Sequence, residues 1–564
     1  MKPLKIPSLE NLAVGLLFSV VFSALLAAVH VLAFEVPRIL FVVMFAISLA
    51  YIAVVIFRLI DDPLKRKTYP TLLVNSVLIL LFSISAIRLA TSSFAEDDEI
   101  YSWNLWAVQH FEGKQADFKF TGVPYPQLFS YWIAALYHAM GSTVIHSVPR
   151  FFLAITTLIA GLAVVGIAKT HTWRSASITA LILFAAIAPN APAYTKGLAD
   201  PLMTASMALS AWMLITYTQQ PTNIAKLGIA LACGVAASMT KQAGLLWMLA
   251  LSILVLYGYF QLGWSKLTLV LTGVAVAASV VWPLFIAPGF INNQGVISAS
   301  MANRSYGQQL VFSANKYLIN HPALLILFLA TFIVSWKHKF LRIISLVGII
   351  PMMLAWFVFG AYSVRLGGHV LALAGVILVS ALHSKSVKLQ QGKTTPPNIP
   401  GNPTVTTVFS ITLTAAYAMG LFFGIQSVAA SSGTNLYDGA KTTLKIQFGD
   451  GSKDVIDKLL ASSARVWTTS NYAYGPLYGR VPVGFPDYTN IDFNLDSLKN
   501  EILEFQSDYA IQSEVVAFGP ASGLLKGLAQ RCPDAFIPVL TPPNQKEFTL
   551  YKVILEKLAV ETCR

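Results

Sequence analysis

Charged residues are scarce in this chain. Only 12% of its 564 residues are Asp, Glu, Lys or Arg, whereas 55% are hydrophobic. Soluble domains carry about 25% charged residues, so a large part of this chain must lie where water does not reach. This scarcity excludes an ordinary soluble protein. Cysteine is scarce as well: Cys233 lies in an apolar run, which predicts a packing role, and the other two cysteines lie near the end of the chain.

Long apolar runs occupy much of the sequence in place of charged residues. Many are close to 20 residues, the length that a helix needs to cross roughly 30 Å of hydrocarbon. They predict about thirteen membrane-spanning helices, at residues 12–34, 39–60, 71–94, 149–168, 175–189, 200–218, 226–239, 243–260, 266–286, 323–336, 341–359, 368–382 and 404–429. The expected fold class is therefore mainly α, a polytopic membrane protein with a transmembrane domain over residues 1–429.

The basic residues show which ends of these helices face the cytoplasm. The formal net charge is +13, and Lys and Arg cluster in short loops such as Lys65-Arg66-Lys67. This is the positive-inside pattern, so the excess charge indicates topology and not a nucleic-acid partner. The N-terminus is then cytoplasmic, and residues 95–147 and the tail after 429 lie outside. We expect a multi-pass protein of a prokaryotic inner membrane, with these outer parts on the periplasmic or extracellular side.

Residues 430–564 differ in composition from the rest. Short β-like runs alternate with polar, helix-like segments, which predicts a small extracytoplasmic α/β domain. Because an outer location is oxidising, Cys532 and Cys563 could form a disulfide, and two unpaired thiols are the alternative. Nothing in this domain indicates catalysis, although it could bind an acceptor.

The outer loop 95–147 is the most unusual stretch. It opens on four consecutive acids, from Glu96 to Glu99, which repel one another. At least one of them should have a raised pKa, bind a cation or face a basic substrate group, as a catalytic base or a metal ligand does. A solvated acidic loop is the alternative, but the loop is also dense in aromatic residues, which stack on sugars or populate membrane interfaces.

Several motifs follow one another in and after this loop. They are Asp97-Asp98-Glu99-Ile100-Tyr101, Tyr125-Pro126-Gln127-Leu128-Phe129-Ser130-Tyr131-Trp132, Gly197-Leu198-Ala199-Asp200-Pro201, Ser238-Met239-Thr240-Lys241-Gln242 and Tyr362-Ser363-Val364-Arg365-Leu366-Gly367-Gly368-His369. In this order they resemble the GT-C superfamily of membrane glycosyltransferases, in particular its aminoarabinose-transferase and protein-mannosyltransferase-like group. The resemblance covers about residues 92–381.

The resemblance implies transfer of a sugar from a polyprenyl-phosphate donor to an acceptor on the outer face of the membrane. The acceptor could be a glycan, a lipid or a protein. Such a reaction needs a base for the acceptor proton and positive charge for the departing phosphate. Direct attack on the anomeric carbon would invert its configuration. The sugar is left open, because Tyr125 stands where aminoarabinose transferases carry a lysine.

The candidate residues take their roles from this chemistry. Asp98 is the expected base, Asp97 is the alternative, and Glu99 and Asp200 complete the catalytic group. The expected substrate-binding residues are Tyr101, Tyr125, Gln127, Tyr131, Trp132, Lys241 and Arg365. A divalent metal ion is the only cofactor left open, with His369 as a candidate ligand. Each residue also has a structural alternative, such as a helix-terminal acid for Asp200 or a snorkelling lysine for Lys241.

Two other classes of protein remain as alternatives. A transporter or flippase for a lipid-linked sugar would place ionisable residues near the bilayer midplane. In this chain the acids are predicted in outer loops, and no inverted repeat is visible. A membrane scaffold or sensor would not need acids on the same side as Asp200 and Arg365.

Overall fold

A computed structural model of the protein gives the arrangement of its helices and strands. It describes residues 7–94, 98–118, 125–168, 170, 172–281, 305–359, 363–384, 403–448, 452–469, 471–486, 494–513, 523–540 and 548–560.

Nine of the described helices are long and apolar enough to cross a membrane. They are Leu9–Leu32, Arg38–Lys65, Tyr69–Ala90, Ser147–Val165, Trp173–Tyr194, Ala243–Leu262, Lys339–Phe359, Val364–His383 and Thr406–Ser431. Tyr306–Ile319 and Pro322–Ser335 are bent by 97° at a short break, and they make ten spans if counted as one. The membrane-protein fold class is confirmed.

The count of about thirteen spans is not confirmed. Each predicted segment does overlap a helix, but two of these helices, Ile224–Ser238 and Lys266–Val281, are shorter than 18 residues. The Asp200–Gln219 helix is long enough but is not among the strongly apolar ones. Its Asp, Ser and Thr side chains can be polar because the helix packs inside the bundle and does not face lipid.

Three helices form the centre of the bundle. Asp200–Gln219 packs against Ile155–Val165 and Gly368–Ser384, and nearly all residues of these three helices are buried. Asp200 opens the first of them, with Pro201 at its first turn. Proline fits a first helical turn because its missing N–H would have no partner there. This geometry places the Asp200 carboxylate at one end of the bundle.

The segment between the third and fourth spans folds over that end. It begins with a π-helical turn, Glu99–Asn104, which continues into the helix Leu105–Phe111. A second helix, Leu128–Met140, stops at Gly141, whose φ of 70° is left-handed and suits glycine. Rings fill the space between these helices, and Trp103 contacts Trp106, Tyr125 and Phe129 with centroid separations of 5.2 to 5.7 Å.

The C-terminal part contains the predicted mixture of helices and strands. Its five strands are β1 (Val466–Thr468), β2 (Val483–Gly484), β3 (Tyr509–Ser513), β4 (Phe536–Leu540) and β5 (Phe548–Val553). They form one sheet in the order β2-β1-β3-β5-β4, in which β1 pairs in parallel with β2 and β3 and the other pairs are antiparallel. The helices around it are Gly439–Phe448, Lys453–Ala461, Asn471–Leu477, Leu495–Glu504, Leu524–Arg531 and Leu555–Val560.

The two described cysteines differ in their bonding state. Cys233 is free and buried in the bundle. Cys532 is buried in the core of the C-terminal sheet and is disulfide-bonded. Its predicted partner, Cys563, lies outside the described residues.

Candidate active site

An ion pair joins the acidic loop to a distant turn of the chain. Asp98 immediately precedes the π-helical turn, and Arg365 lies in a 3₁₀ turn, Val364–Gly367. The Asp98 carboxylate accepts a hydrogen bond from Nη2 of Arg365. Asp98 is 33% exposed and Arg365 is 24% exposed, so a ligand could reach both charges.

A second pair lies next to the first. Nζ of Lys241, in the connection between two helices, is 2.7 Å from Oδ1 of Asp200. Asp200 is 1% exposed, and its Oδ2 has no hydrogen-bond partner within the described part of the chain. Arg365 and His369 are close enough for their charges to act on Asp200. Two carboxylates and two fixed cations therefore occupy one end of the bundle.

Glu99 has a different environment from Asp98, although they are adjacent in sequence. Its carboxylate lies 2.9 Å from Nη1 of Arg150, and both side chains are almost fully buried. The backbone N–H of Gly197 donates to the same carboxylate oxygen. Arg150 also donates to the Leu89 carbonyl and the Ser92 hydroxyl. A buried, fully engaged ion pair of this kind fixes the geometry of the loop.

Several buried polar atoms of residues 190, 194 and 369 have no hydrogen-bond partner among the described residues. They are Nδ1 of His369, Oδ1 and Nδ2 of Asn190, and the Tyr194 hydroxyl. Asn190 lies against Gly368, because a Cβ added to that glycine would collide with the Asn190 amide. Buried polar groups are nearly always hydrogen-bonded, so such a concentration marks a place where water or a ligand binds.

The predicted aromatic residues pack in the loop. Trp132 is 1% exposed, and Tyr125 contacts the rings of Trp103 and Trp106. Tyr131 stacks on His110 with centroids 4.0 Å apart. Substrate contacts of Tyr125, Tyr131 and Trp132 stay predictions.

A histidine anchors this packing. Nε2 of His110 lies 3.1 Å from Oε1 of Gln127, and the Gln127 amide donates to the Tyr125 carbonyl. Burial lowers the pKa of His110 to about 4, so its ring is neutral at pH 7. The expected role of Gln127 in substrate binding stays a prediction.

The remaining predictions concern the metal and two residues of the acid motif. No group of three His, Cys, Asp or Glu side chains able to hold a metal occurs in the described part of the chain. His369 has Asp200 as its acidic neighbour there. Asp97 and the side chain of Tyr101 lie outside the described residues.

Sequence reasoning missed the residues at the junction between the loop and the C-terminal part. Arg480 binds Asp438 through two hydrogen bonds, of 2.8 and 3.1 Å, beside the buried ring of His146. The His146 ring accepts the N–H of Phe94, whereas the Thr443 hydroxyl donates to the Phe94 carbonyl. No local motif signals these contacts, because the partners come from distant parts of the chain.

The chain is similar to known proteins in its three-dimensional structure but not in its sequence. No protein-family model matches the chain, and no curated protein does. The chain is similar to crystal structures of ArnT from Cupriavidus metallidurans. In the apo state the identity is 15% and the TM-score 0.50, and in the form bound to undecaprenyl phosphate they are 14% and 0.51. Each alignment covers 86% of this chain and 98% of ArnT.

A second similar protein is the archaeal oligosaccharyltransferase AglB from Archaeoglobus fulgidus, in complex with an inhibitory peptide and a dolichol-phosphate. Its identity is 11% and its TM-score 0.40, over 78% of this chain and 69% of AglB. The ArnT alignments span nearly the whole of that protein, so the resemblance expected from the motifs is confirmed for the fold. This chain has an ArnT-like fold, with a helical membrane bundle and a small C-terminal sheet.

Proposed function

We propose that this protein is an integral membrane glycosyltransferase that moves a sugar from a polyprenyl-phosphate donor to an acceptor. The observation that carries the proposal is the pair of adjacent carboxylate–cation contacts, Asp98 with Arg365 and Asp200 with Lys241. They lie at one end of a bundle whose fold is that of ArnT, a protein crystallised with undecaprenyl phosphate.

The physical chemistry of a lipid-linked donor suits this position. The polyprenyl chain stays in hydrocarbon, while the sugar and phosphate stay in water, so the reaction belongs at the membrane surface. In the proposed mechanism Asp98 accepts the proton of the acceptor hydroxyl as that oxygen attacks the anomeric carbon. The bond from that carbon to the phosphate oxygen breaks, and the configuration inverts.

Positive charge stabilises the departing phosphate. Arg365 is the proposed phosphate ligand, because a guanidinium can bind phosphate through two parallel hydrogen bonds. Lys241 supplies a second charge, and Asp200 holds it in place. Asn190 and His369 contribute polar atoms without a partner among the described residues, and these atoms are available to the sugar hydroxyls. Among the described residues, Asp200 and His369 are fewer than the three protein ligands of a catalytic zinc site, so these two alone do not fit a metal ion.

The transporter alternative receives no support from these positions. Carriers place ionisable residues near the bilayer midplane, in broken helices. Here Asp200 begins its helix, Lys241 lies between two helices and Arg365 lies in the turn before a helix. We also propose that the site and residues 430–564 lie on the outer face of a prokaryotic inner membrane, as the distribution of basic loops indicates.

The test is sugar transfer by purified protein in nanodiscs, with a panel of polyprenyl-phosphate sugars and of glycan, lipid and protein acceptors. We expect release of free polyprenyl phosphate together with a glycosylated product. Arg365→Gln should abolish both, whereas Arg342→Gln, a change in an arginine that stacks on Trp336, should leave both unchanged. Absence of transfer with every donor, together with movement of an intact lipid-linked sugar across the bilayer, would contradict the proposal.

A further inference from the structure

A cavity of about 530 Å³ opens near the acidic loop but away from its carboxylate–cation pairs. Its walls come from the connection between the first two spans and from the two loop helices. The lining includes His30, Glu35, Arg38, Phe111 and His138. None of them has a role in the proposed transfer reaction.

Exposed apolar residues flank this cavity. Leu32, Phe34, Ile39 and Leu40 belong to the same connection and are between 44% and 67% exposed. A cluster of large apolar side chains in water is unfavourable, so these four contact the hydrocarbon at the end of the first two spans. The charged residues between them, Glu35 and Arg38, then lie at the level of the lipid headgroups.

Two groups in the cavity are hydrogen-bond donors. Nε and Nη2 of Arg38 bind the carbonyls of Ala139 and Met140, which fixes the guanidinium and leaves Nη1 for a ligand. Nδ1 of His30 accepts the backbone N–H of Val36 at 3.0 Å. Because Nδ1 accepts this hydrogen bond, the ring N–H of His30 is on Nε2, where it can donate to a ligand.

Two other groups are acceptors. Glu35 is exposed and forms no ion pair with any described residue. Nε2 of His138 is buried and has no hydrogen-bond partner, because the hydrogen bond of this ring to the His110 backbone uses the other nitrogen. Burial lowers the pKa of His138 to about 4, so Nε2 carries a lone pair at pH 7. Phe41 and Phe111 hold the ring, with centroids 4.6 and 4.8 Å away.

We propose that this cavity binds the headgroup of a zwitterionic phospholipid that carries a primary ammonium group. Arg38 and the His30 N–H bind the phosphate, while Glu35 and the His138 lone pair bind the ammonium. The apolar residues at the rim contact the acyl chains. An anionic headgroup without the ammonium would meet the Glu35 carboxylate and leave His138 unpaired. This site is separate from the proposed active site and does not depend on it.

The experiment is a titration of the detergent-purified full chain with short-chain phosphatidylethanolamine, phosphatidylcholine and phosphatidylglycerol, followed by native mass spectrometry. We expect phosphatidylethanolamine to bind about fivefold more tightly than the other two, the size expected of one partly exposed ion pair. Glu35→Gln should weaken this preference, most of all the preference over phosphatidylglycerol, which carries no ammonium group. The matched control is Glu10→Gln, at the other end of the first span, which should keep the preference for phosphatidylethanolamine.

A second variant separates the site from a general loss of structure. His138→Phe preserves the ring packing but removes the Nε2 acceptor and the hydrogen bond to the His110 backbone. It should lower the affinity for phosphatidylethanolamine and leave that for phosphatidylcholine unchanged. Equal affinity for the three lipids, tighter binding of phosphatidylglycerol, or an unchanged preference in Glu35→Gln would overturn the proposal. Binding of soluble phosphoethanolamine as tight as that of the lipid would overturn the lipid as the ligand.

Discussion

Asp98 and Glu99 are adjacent acids with different surroundings. Asp98 is one-third exposed and pairs with an arginine that a ligand can also reach, whereas Glu99 is buried against Arg150 and the Gly197 N–H. A base must approach the proton that it accepts, so of these two acids Asp98 has the accessible position. Glu99 is better suited to hold the loop against the bundle.

Replacement of Asp98 tests this difference. Asp98→Asn should lower the turnover rate by roughly 10²- to 10⁴-fold, because the amide cannot accept the acceptor proton. Binding of the polyprenyl-phosphate carrier should persist, since Arg365 remains. The measurement compares initial transfer rates and carrier binding with those of the wild type, and Asp508→Asn in the C-terminal part is the control. An unchanged transfer rate would indicate that Asp97 or Asp200 is the base.

The ion pair of Asp200 and Lys241 predicts that replacements of the two residues have non-additive effects on the free energy of unfolding. Removal of one partner of a buried ion pair leaves the other charge uncompensated, so Asp200→Asn and Lys241→Met should each destabilise the protein by about 3 kcal/mol. The double variant should lose much less than the sum, because neither charge is left alone. Denaturant unfolding in micelles gives the free energy of unfolding of the wild type, the two single variants and the double variant. Additive losses would show that the two side chains do not interact.

His146 predicts how stability depends on pH. Burial, with a further contribution from the nearby Arg150, lowers its pKa to about 3, whereas an unfolded histidine titrates near 6.5. The unfolded state therefore binds more protons between these values. Stability is complete above about pH 6.5 and falls as the pH drops towards 3, by about 1.4 kcal/mol per unit. In His146→Asn this slope should be shallower, whereas His321→Asn, at an exposed position, should keep it. An identical slope in both would exclude His146 as the cause.

At the scale of elements, the turn that presents Asp98 is held from two directions. The buried Glu99–Arg150 pair fixes it to the bundle. The C-terminal part holds the residues just before it, through the Thr443 hydroxyl bound to the Phe94 carbonyl at 2.9 Å. The N–H of Gly439 also donates to the Val144 carbonyl, at the far end of the same loop. The sheet domain thus contacts both ends of the loop.

Thr443→Val should loosen this attachment. The variant loses the hydrogen bond to Phe94, which costs about 1 kcal/mol and leaves a buried carbonyl unpaired. We expect faster amide hydrogen exchange in residues 98–104 and a lower transfer rate with unchanged carrier binding. Thr442→Val, at the preceding position of the same helix, removes only the local hydrogen bonds with Asn435 and Asp438 and should not affect the turn. Equal effects of the two variants would contradict an attachment through Thr443.

For the whole molecule, the sequence predicts the helices and the candidate residues better than it predicts the contacts between them. Apolar runs predict most helices of the bundle, because burial in lipid requires a continuous apolar surface. They do not predict Tyr306–Ile319, which lies between the expected spans 266–286 and 323–336. They do not predict the number of spans, since Asp200–Gln219 is polar for a membrane helix and still lies at the centre. The motifs name Asp98, Asp200, Lys241 and Arg365 separately. Their pairing depends on packing between segments far apart in the chain, such as residues 98 and 365.

Contacts that use ordinary residues could not be predicted at all. Thr443, Asp438 and Arg480 lie in a polar domain where many similar residues are simply solvated. The rings of His30 and His138 are in contact, with centroids 4.4 Å apart, but the two residues are separated by more than a hundred positions in the chain. No periodicity or spacing relates such positions, because only the tertiary fold brings them together.

The most direct test of the account uses proteoliposomes in which all molecules have one known orientation. A polyprenyl-phosphate sugar is placed in the leaflet that faces the acidic loop, and a membrane-impermeant acceptor is added on that side. The account predicts glycosylated acceptor and free polyprenyl phosphate on the side of the loop, without movement of the donor to the other leaflet. Product that forms only when donor and acceptor are on the opposite side, or donor that crosses the membrane intact, would contradict it.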